Sequence, residues 1–276
     1  MNLAVLIYTN EHNLPILKLF LKYFFKHNST FDFPIYVVAN KIDKIDLPYQ
    51  DKITYLSGNI EFNGAGGHFA QTLINTLPQI KEEYIFYFCE DYLLTHPIDQ
   101  NALSVLIQMM QYENIDLFSF ASMYPINHGF TEFTQQHFTI PYFDIPLYNI
   151  GIEYRHAYSV QPCVWKKQSL IQILNDNPTV SLHDMDNSIL NNKDKYKIIC
   201  TNLKIYDQSY QPDYFIIGYK EIIRHGVFLL TLNGQIMEDT NHAEVFMRKV
   251  IKENNLHNNS EYDRYILFDK NIINTW

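Results

Sequence analysis

Leu3 to Tyr8 is an uninterrupted apolar run, the pattern of a strand buried on both faces, and it ends in the polar cluster Thr9-Asn10-Glu11-His12-Asn13. From Asn13 to Lys26, with Pro15 in the first turn, the period becomes helical. Lys18, Lys22 and Lys26 recur on one face there, while Leu14, Leu17, Leu21, Phe24 and Phe25 fill the other. A second apolar run, Ile35 to Ala39, follows Pro34, so strand, helix and strand occupy the opening of the chain and predict a parallel sheet. The alternation continues with a short strand at Ile53 to Leu56 and a glycine-rich loop. It goes on through a helix from His68 to Lys81, a strongly strand-like Tyr84 to Phe88, an Asp99-capped helix over Gln100 to Tyr112, and a strand at Asp116 to Ala121.

Between Ser122 and Gln161 the helical period is lost and aromatic residues, Pro and His crowd together, which predicts either short irregular strands or a functional loop region. Helices resume near Lys167 to Leu174 and, after a polar turn reaching Asp186, into Leu190. Strands are expected at Lys197–Tyr206 and Glu221–Leu232. An amphipathic helix over Asn241–Asn254 then places Ala243, Phe246, Val250 and Ile251 on one face. No internal repeat or low-complexity segment interrupts the pattern.

Composition narrows the reading. Of 276 residues, 47% are hydrophobic and 18% charged, which excludes disorder as the main state. The 21 Tyr, 19 Phe and 2 Trp are too many for a core alone, so part of them is expected half-wet, with polar tips toward water or ligand. A net charge of −9 argues against a nucleic-acid partner, which needs a concentrated basic face. Arg155, Arg224, Arg248 and Arg264 are the only arginines, so bidentate anion recognition has few possible positions. The 3 Cys form no CxxC pair, which excludes a zinc ribbon or disulfide framework and fits a reducing compartment. The N-terminus lacks a basic n-region and no apolar run has membrane-spanning length, so the chain reads as cytoplasmic.

In open α/β sheets ligands bind at the carboxyl ends of the strands. Here those ends are Tyr8-Thr9-Asn10, Asn40-Lys41, Ser57-Gly58 and Glu90-Asp91, all polar. The loop Gly64-Ala65-Gly66-Gly67 is neither a P-loop nor a dinucleotide fingerprint; it is either a helix start needing unusual φ angles or a close backbone approach to a ligand. Two adjacent acids after an apolar strand are costly unless solvated, paired or holding a cation, and this makes Glu90-Asp91 the sharpest feature. The histidines show no zinc-ligand spacing, and no Gly-x-Ser-x-Gly elbow is present.

Tyr84-Ile85-Phe86-Tyr87-Phe88-Cys89-Glu90-Asp91-Tyr92-Leu93-Leu94 resembles the acidic motif segment of GT-A-fold glycosyltransferases of the family 2-like, bacterial or viral surface-glycan type, and Asn63 to Leu73 is similar to the loop and helix that precede it. Tyr158 to Lys167 resembles the acceptor-side stretch of such enzymes, with His183-Asp184-Met185-Asp186 where their catalytic base stands. The resemblance covers residues 1–190. It implies an α/β, GT-A-like (Rossmann-like), mostly parallel central sheet flanked by helices, with an irregular aromatic-rich acceptor region and a C-terminal extension. In that reading 1–276 is one domain: a nucleotide-sugar-binding half over 1–121, an acceptor and base half over 122–235, and a helical extension over 236–276.

The implied activity is transfer of a sugar from a nucleotide-sugar donor to a glycan acceptor hydroxyl, with inversion. Tyr8, Thr9, Asn10, Asn40, Gly66, Gly67, Glu90, Asp91, Arg224 and His225 would meet the donor, and Tyr124, Tyr158, Gln161 and Trp165 the acceptor. Asp184 is the preferred base and Asp186 the alternative, against the plainer reading that Asp186 caps the helix into Leu190. Asp91 is the expected contact for Mn²⁺ or Mg²⁺, but Tyr92 stands where a full Asp-x-Asp needs a second acid. Tyr92 also supports a rival reading, a non-catalytic glycan-binding module. A sugar nucleotidyltransferase is less favoured, because Thr9-Asn10-Glu11-His12 is no basic glycine-rich loop. A peripheral membrane contact and the oligomeric state stay open.

Overall fold

The computed structural model describes residues 2–41, 49–61, 68–120, 130–133, 147–150, 157–158, 162–201, 219–221, 223–224, 227–228 and 248–265. The opening follows the hydrophobic pattern: β1 (Leu3–Thr9), α1 (Leu14–His27), β2 (Ile35–Ala39), β3 (Thr54–Ser57), α2 (His68–Thr76) and β4 (Tyr84–Cys89). Pro78 stops α2 five residues short of Lys81, because a proline ring cannot continue the helix and the chain passes into a 3₁₀ turn. Then come β5 (Tyr92–Leu94), α3 (Gln100–Tyr112), β6 (Leu117–Ser119), β7 (Phe130–Phe133), β8 (Leu147–Ile150), β9 (Cys163–Lys166), α4 (Lys167–Asp176), α5 (Leu182–Asp186) and β10 (Ile198–Thr201). Short strands β11 (Tyr219–Glu221), β12 (Ile223–Arg224) and β13 (Val227–Phe228) follow, and residues 248–253 are helical. Residues 241–247 of the expected last helix lie outside the described residues.

Nine strands form the main sheet in the order β3-β2-β1-β4-β9-β6-β10-β8-β7. β1, β2, β3 and β4 are parallel, β9 runs against its neighbours β4 and β6, and β8 runs against β10 and β7. The sheet is therefore mixed, with all but β8 and β9 pointing the same way. Each strand residue of β1 and β4 is buried, and alternation sorts them between two cores. Leu3, Val5, Ile7, Tyr84, Phe86 and Phe88 pack toward α1 and α3, while Ala4, Leu6, Tyr8, Ile85, Tyr87 and Cys89 pack toward α2 and α4.

Many aromatic rings gather in the first core. Phe20 and Phe88 rings lie 5.7 Å apart, Phe86 and Phe88 4.5 Å, Phe86 and Phe120 5.4 Å, and Phe24 and Phe31 5.3 Å. Such tilted and edge-on pairs add roughly 0.5–1.5 kcal/mol each beyond area burial. The lysine face of α1 is covered by the C-terminal segment. Lys18 pairs with Glu261 at 2.9 Å, Lys22 donates to Asn254, and Val250, Ile251, Leu256 and Tyr262 are buried in the same core as α1. Among the described residues no helix is long and apolar enough to cross a membrane.

Candidate functional site

From β1 the chain crosses to β2 and β3 on one side and returns through α2 to β4 on the other, so the strand order reverses between β1 and β4. The crevice outside the carboxyl ends at such a switch point is where open α/β sheets take their ligands. Thr9-Asn10 and Glu90-Asp91 stand at the two sides of that crevice, with Tyr8 paired in register to Cys89.

The two acids are held differently. Glu90 is buried, accepts a 2.6 Å hydrogen bond from the Asn13 amide, and is also bonded by the Thr9 hydroxyl. Burial pushes its carboxyl up to about 7, against the lowering effect of these hydrogen bonds. Asn13, at the start of α1, makes no side-chain cap, and its amide reaches Glu90 instead. Glu90 thus braces β4 against the β1–α1 turn. Asp91 next to it is half-buried. Burial, with the charges of Asp91 and Glu90 adding to it, drives the Cys89 thiol well above its ordinary value, so that thiol is inert.

Asn40 is held in a similar way. Fully buried, it accepts from the Glu11 backbone N–H at 3.1 Å and donates to the Ile60 carbonyl at 3.2 Å, so both ends of its amide tie loops together. Asn10 is half-buried, and its side chain caps the turn at His12. Tyr8 is buried edge-on against Phe69 of α2, 5.1 Å between centroids, and its hydroxyl has no hydrogen-bond partner among the described residues. Beside the crevice, a Cβ on Gly58 would sit 2.9 Å from the Thr72 backbone, so only glycine lets β3 end this close to α2. His68, the first residue of α2, is buried, and desolvation lowers its imidazole. Asn13 and His68 were not singled out by the sequence. The only signal was their position at the starts of α1 and α2, because the partner of Asn13 lies 77 residues away.

β5 leaves the acidic tip directly and pairs antiparallel with β11, Tyr92 opposite Glu221. Tyr92 is therefore a strand residue, which gives a structural reason for a ring in place of a second acid. β12 (Ile223–Arg224) pairs antiparallel with β13 in a separate two-stranded sheet, Arg224 opposite Val227. Among the described residues no group of three or more His, Cys, Asp or Glu gathers to hold a metal unaided. A single carboxylate such as Asp91 suits Mg²⁺ or Mn²⁺ when substrate phosphates complete the shell, because such ions are commonly held by one or two carboxylates plus phosphate oxygens.

Asp184 stands on a later element. It lies in the first turn of α5, where the Ser181 hydroxyl donates to its carboxylate at 2.7 Å and its own backbone N–H returns a bond to Ser181. Ser181, not Asp186, caps this helix; Asp186 is its last residue. Asp184 also lines an open cleft of about 780 Å³ between the end of α4 and the loop after α5.

Two of the expected acceptor residues are core residues. Tyr158 is fully buried and Trp165 only 2% exposed; the rings stack 6.0 Å apart, and the Tyr158 hydroxyl donates to the Lys193 carbonyl. Rings sealed in this way have no face left for an acceptor. Gly66, Gly67, Tyr124, Gln161 and His225 lie outside the described residues.

No family model and no curated protein matches this chain. Among solved structures it is similar to S. aureus TarS residues 1–349 in complex with UDP-GlcNAc, at 15% identity and a TM-score of 0.43 over 72% of this chain and 56% of that one. It is also similar to the galactosyltransferase LgtC with donor and acceptor sugar analogs (8% identity, TM-score 0.45, 91% of this chain and 95% of that one). A third likeness is the mannosyltransferase PcManGT of Pyrobaculum calidifontis with GDP-Man and Mn²⁺ (11%, 0.42, 76% and 58%). The chain spans little more than half the length of the TarS and PcManGT chains.

Proposed function

We propose that this chain is a glycosyltransferase that moves a sugar from a nucleotide-sugar donor to an acceptor hydroxyl, with inversion at the anomeric carbon. The observation that carries this reading is the crevice itself: a half-buried Asp91 stands at the switch point between β1 and β4, braced from behind by the Glu90–Asn13 contact.

The donor lies across the carboxyl ends of β1 and β4, with Asn10 and Asp91 at its edge, and Arg224 and His225 are the basic residues assigned to its diphosphate. Asp91 would hold a Mn²⁺ or Mg²⁺ ion, which when bound with the donor supplies charge neutralisation for the departing diphosphate. Asp184 is the base. One of its oxygens is occupied by Ser181, and the residue faces the open cleft. It takes the acceptor hydroxyl proton while the acceptor oxygen forms its bond to the anomeric carbon. The bond from that carbon to the donor phosphate oxygen breaks, and its electron pair leaves with the nucleoside diphosphate. Asp186 remains the alternative base.

The test is nucleotide release from UDP-, GDP-, CMP- and dTDP-sugars, with Mn²⁺ or EDTA and with a disaccharide acceptor. Release from at least one donor supports the reading. If none is turned over while a sugar still binds, the chain is the glycan-binding module that Tyr92 favours.

A further inference from the structure

With Tyr158 and Trp165 sealed in the core, the groove expected for an acceptor has lost its described rings, and a different concavity meets the requirements. The cleft of about 780 Å³ at the end of α4 and around α5 is lined by Asp176, Thr179, Asp184, Ile189, Asn191 and Lys193, among others.

Its frame is fixed by internal hydrogen bonds. The Asn177 amide donates to the Ile173 carbonyl at 2.8 Å and to the Asn191 carbonyl at 3.1 Å, and its oxygen accepts from the Asn191 N–H at 2.7 Å. Ser188 and Asn192 are held in the left-handed backbone region, φ 55 and 58, which for non-glycine residues persists where the surroundings enforce it. The Ser188 hydroxyl is itself fixed by the buried Tyr158 N–H at 3.1 Å. The cleft is also tied to the donor side, since Gln71, in the first turn of α2, donates to the Pro178 carbonyl at 2.9 Å.

The lining specifies the ligand class. Two carboxylates face one ammonium, which disfavours a polyanion. Carboxylate, amide, hydroxyl and ammonium groups together match a ligand rich in hydroxyls, each both donor and acceptor. Ile189 adds an aliphatic wall: it is 65% exposed, while Leu182 and Leu190 beside it are partly buried against the second core. Hydroxyl edges with an aliphatic C–H face describe a pyranose. We propose that the α4–α5 cleft is a carbohydrate subsite, with Asp176, Asn191 and Lys193 binding ring hydroxyls and Ile189 packing on the C–H face. Calling the bound sugar the acceptor rests on the glycosyltransferase reading above; binding of a sugar does not.

The experiment uses the full chain and three probes, lactose, maltose and N,N′-diacetylchitobiose, in saturation-transfer NMR titrations. Wild type, Lys193→Ala, Ile189→Asp and the control Lys18→Ala on α1 are compared, with nucleotide release measured separately on wild type. At least one disaccharide is expected to bind wild type, with affinity falling about tenfold or more in Lys193→Ala and Ile189→Asp, the scale of losing a hydrogen bond to a charged group or a buried aliphatic contact. Lys18→Ala should bind like wild type. No binding of any probe, or binding that both cleft variants leave intact, overturns the subsite. Nucleotide release without cleft binding leaves the glycosyltransferase reading standing and removes this one. Cleft binding without nucleotide release does the reverse.

Discussion

Glu90-Asp91 and the Asp184 helix present the same side-chain chemistry in two surroundings. At the tip of β4 the strand is buried on both faces, so the first acid after it is drawn inside and must be braced by Asn13 and Thr9. At α5 the helix is only five residues long, its first turn is half-exposed, and Asp184 keeps one oxygen on the Ser181 hydroxyl while lining an open cleft. A carboxylate that ends a doubly buried strand is claimed by the fold, and its neighbour in sequence is the one left at the crevice. A carboxylate on a short surface helix can serve as cap and face solvent at once. The four substitutions below press on this contrast.

The largest effect is expected from Asp184→Asn. Asn keeps an oxygen for the Ser181 hydroxyl, so the cap survives and Tm should move little. Loss of a general base lowers the transfer rate by about 10²–10⁴-fold. Donor binding, followed by the nucleotide-induced shift in Tm, should stay within twofold. Unchanged turnover moves the base to Asp186 or elsewhere and removes the functional half of the contrast.

Asp91→Asn comes next and tests the carboxylate at the tip of β4. A lost charge-assisted contact costs about 1.5–3 kcal/mol, so donor affinity should fall about tenfold or more, and Mn²⁺ should no longer raise it. Isothermal titration with UDP or GDP, with and without Mn²⁺, reads both. If the variant binds nucleotide as wild type does, the crevice is not the donor site.

How much of this was legible beforehand depends on the range over which each contact acts. The β1–α1–β2–β3–α2–β4 order could be read because burial on two faces and helical amphipathicity are periodic along the chain. Asp99 capping α3 is equally local, accepting from the N–H groups of Asn101 and Ala102. β9 was not legible: four residues, Cys163 to Lys166, form an antiparallel strand inside the sheet between β4 and β6, and nothing in so short a run marks it as central. Trp165 and Tyr158 were misplaced for the same reason, since a groove and a core both attract rings, and only the pairing of β9 decides between them. β5 was missed because its partner β11 lies more than a hundred residues on. The brace on Glu90 was missed in the same way, because the Asn13 amide reads locally as a helix cap.

Glu90→Gln separates the two neighbours at the tip of β4. The folded-state carboxyl stands at about 7, above the usual carboxylate range, so between roughly pH 4.5 and 7 the folded state holds a proton that the unfolded chain has lost. Stability from this group is therefore present in acid and falls as pH rises through that window. The substituted glutamine is uncharged throughout and can still accept from Asn13. The Tm of the variant should match wild type near pH 5 and exceed it at pH 8, with about 3 kcal/mol as the upper bound. Equal Tm profiles for the two proteins would show that Glu90 is solvated in solution, and the distinction between the two acids at this tip would disappear.

The smallest effect is expected from Ser181→Ala, which isolates the cap from the base. The hydroxyl holds the first turn of α5 through the 2.7 Å and 3.1 Å bonds with Asp184, and losing such a cap costs about 1 kcal/mol, roughly 2–4 °C in Tm for a chain of this size. In the arrangement argued above Asp184 works through the oxygen turned to the cleft, so transfer should change by no more than about threefold, under 1 kcal/mol. The informative quantity is the ratio between this loss and that of Asp184→Asn. A large gap means that the carboxylate itself acts and Ser181 only supports the helix. Two equal losses would mean that the base is positioned through Ser181, and then the acid of α5 is braced as firmly as Glu90, with function resting on the brace at both places.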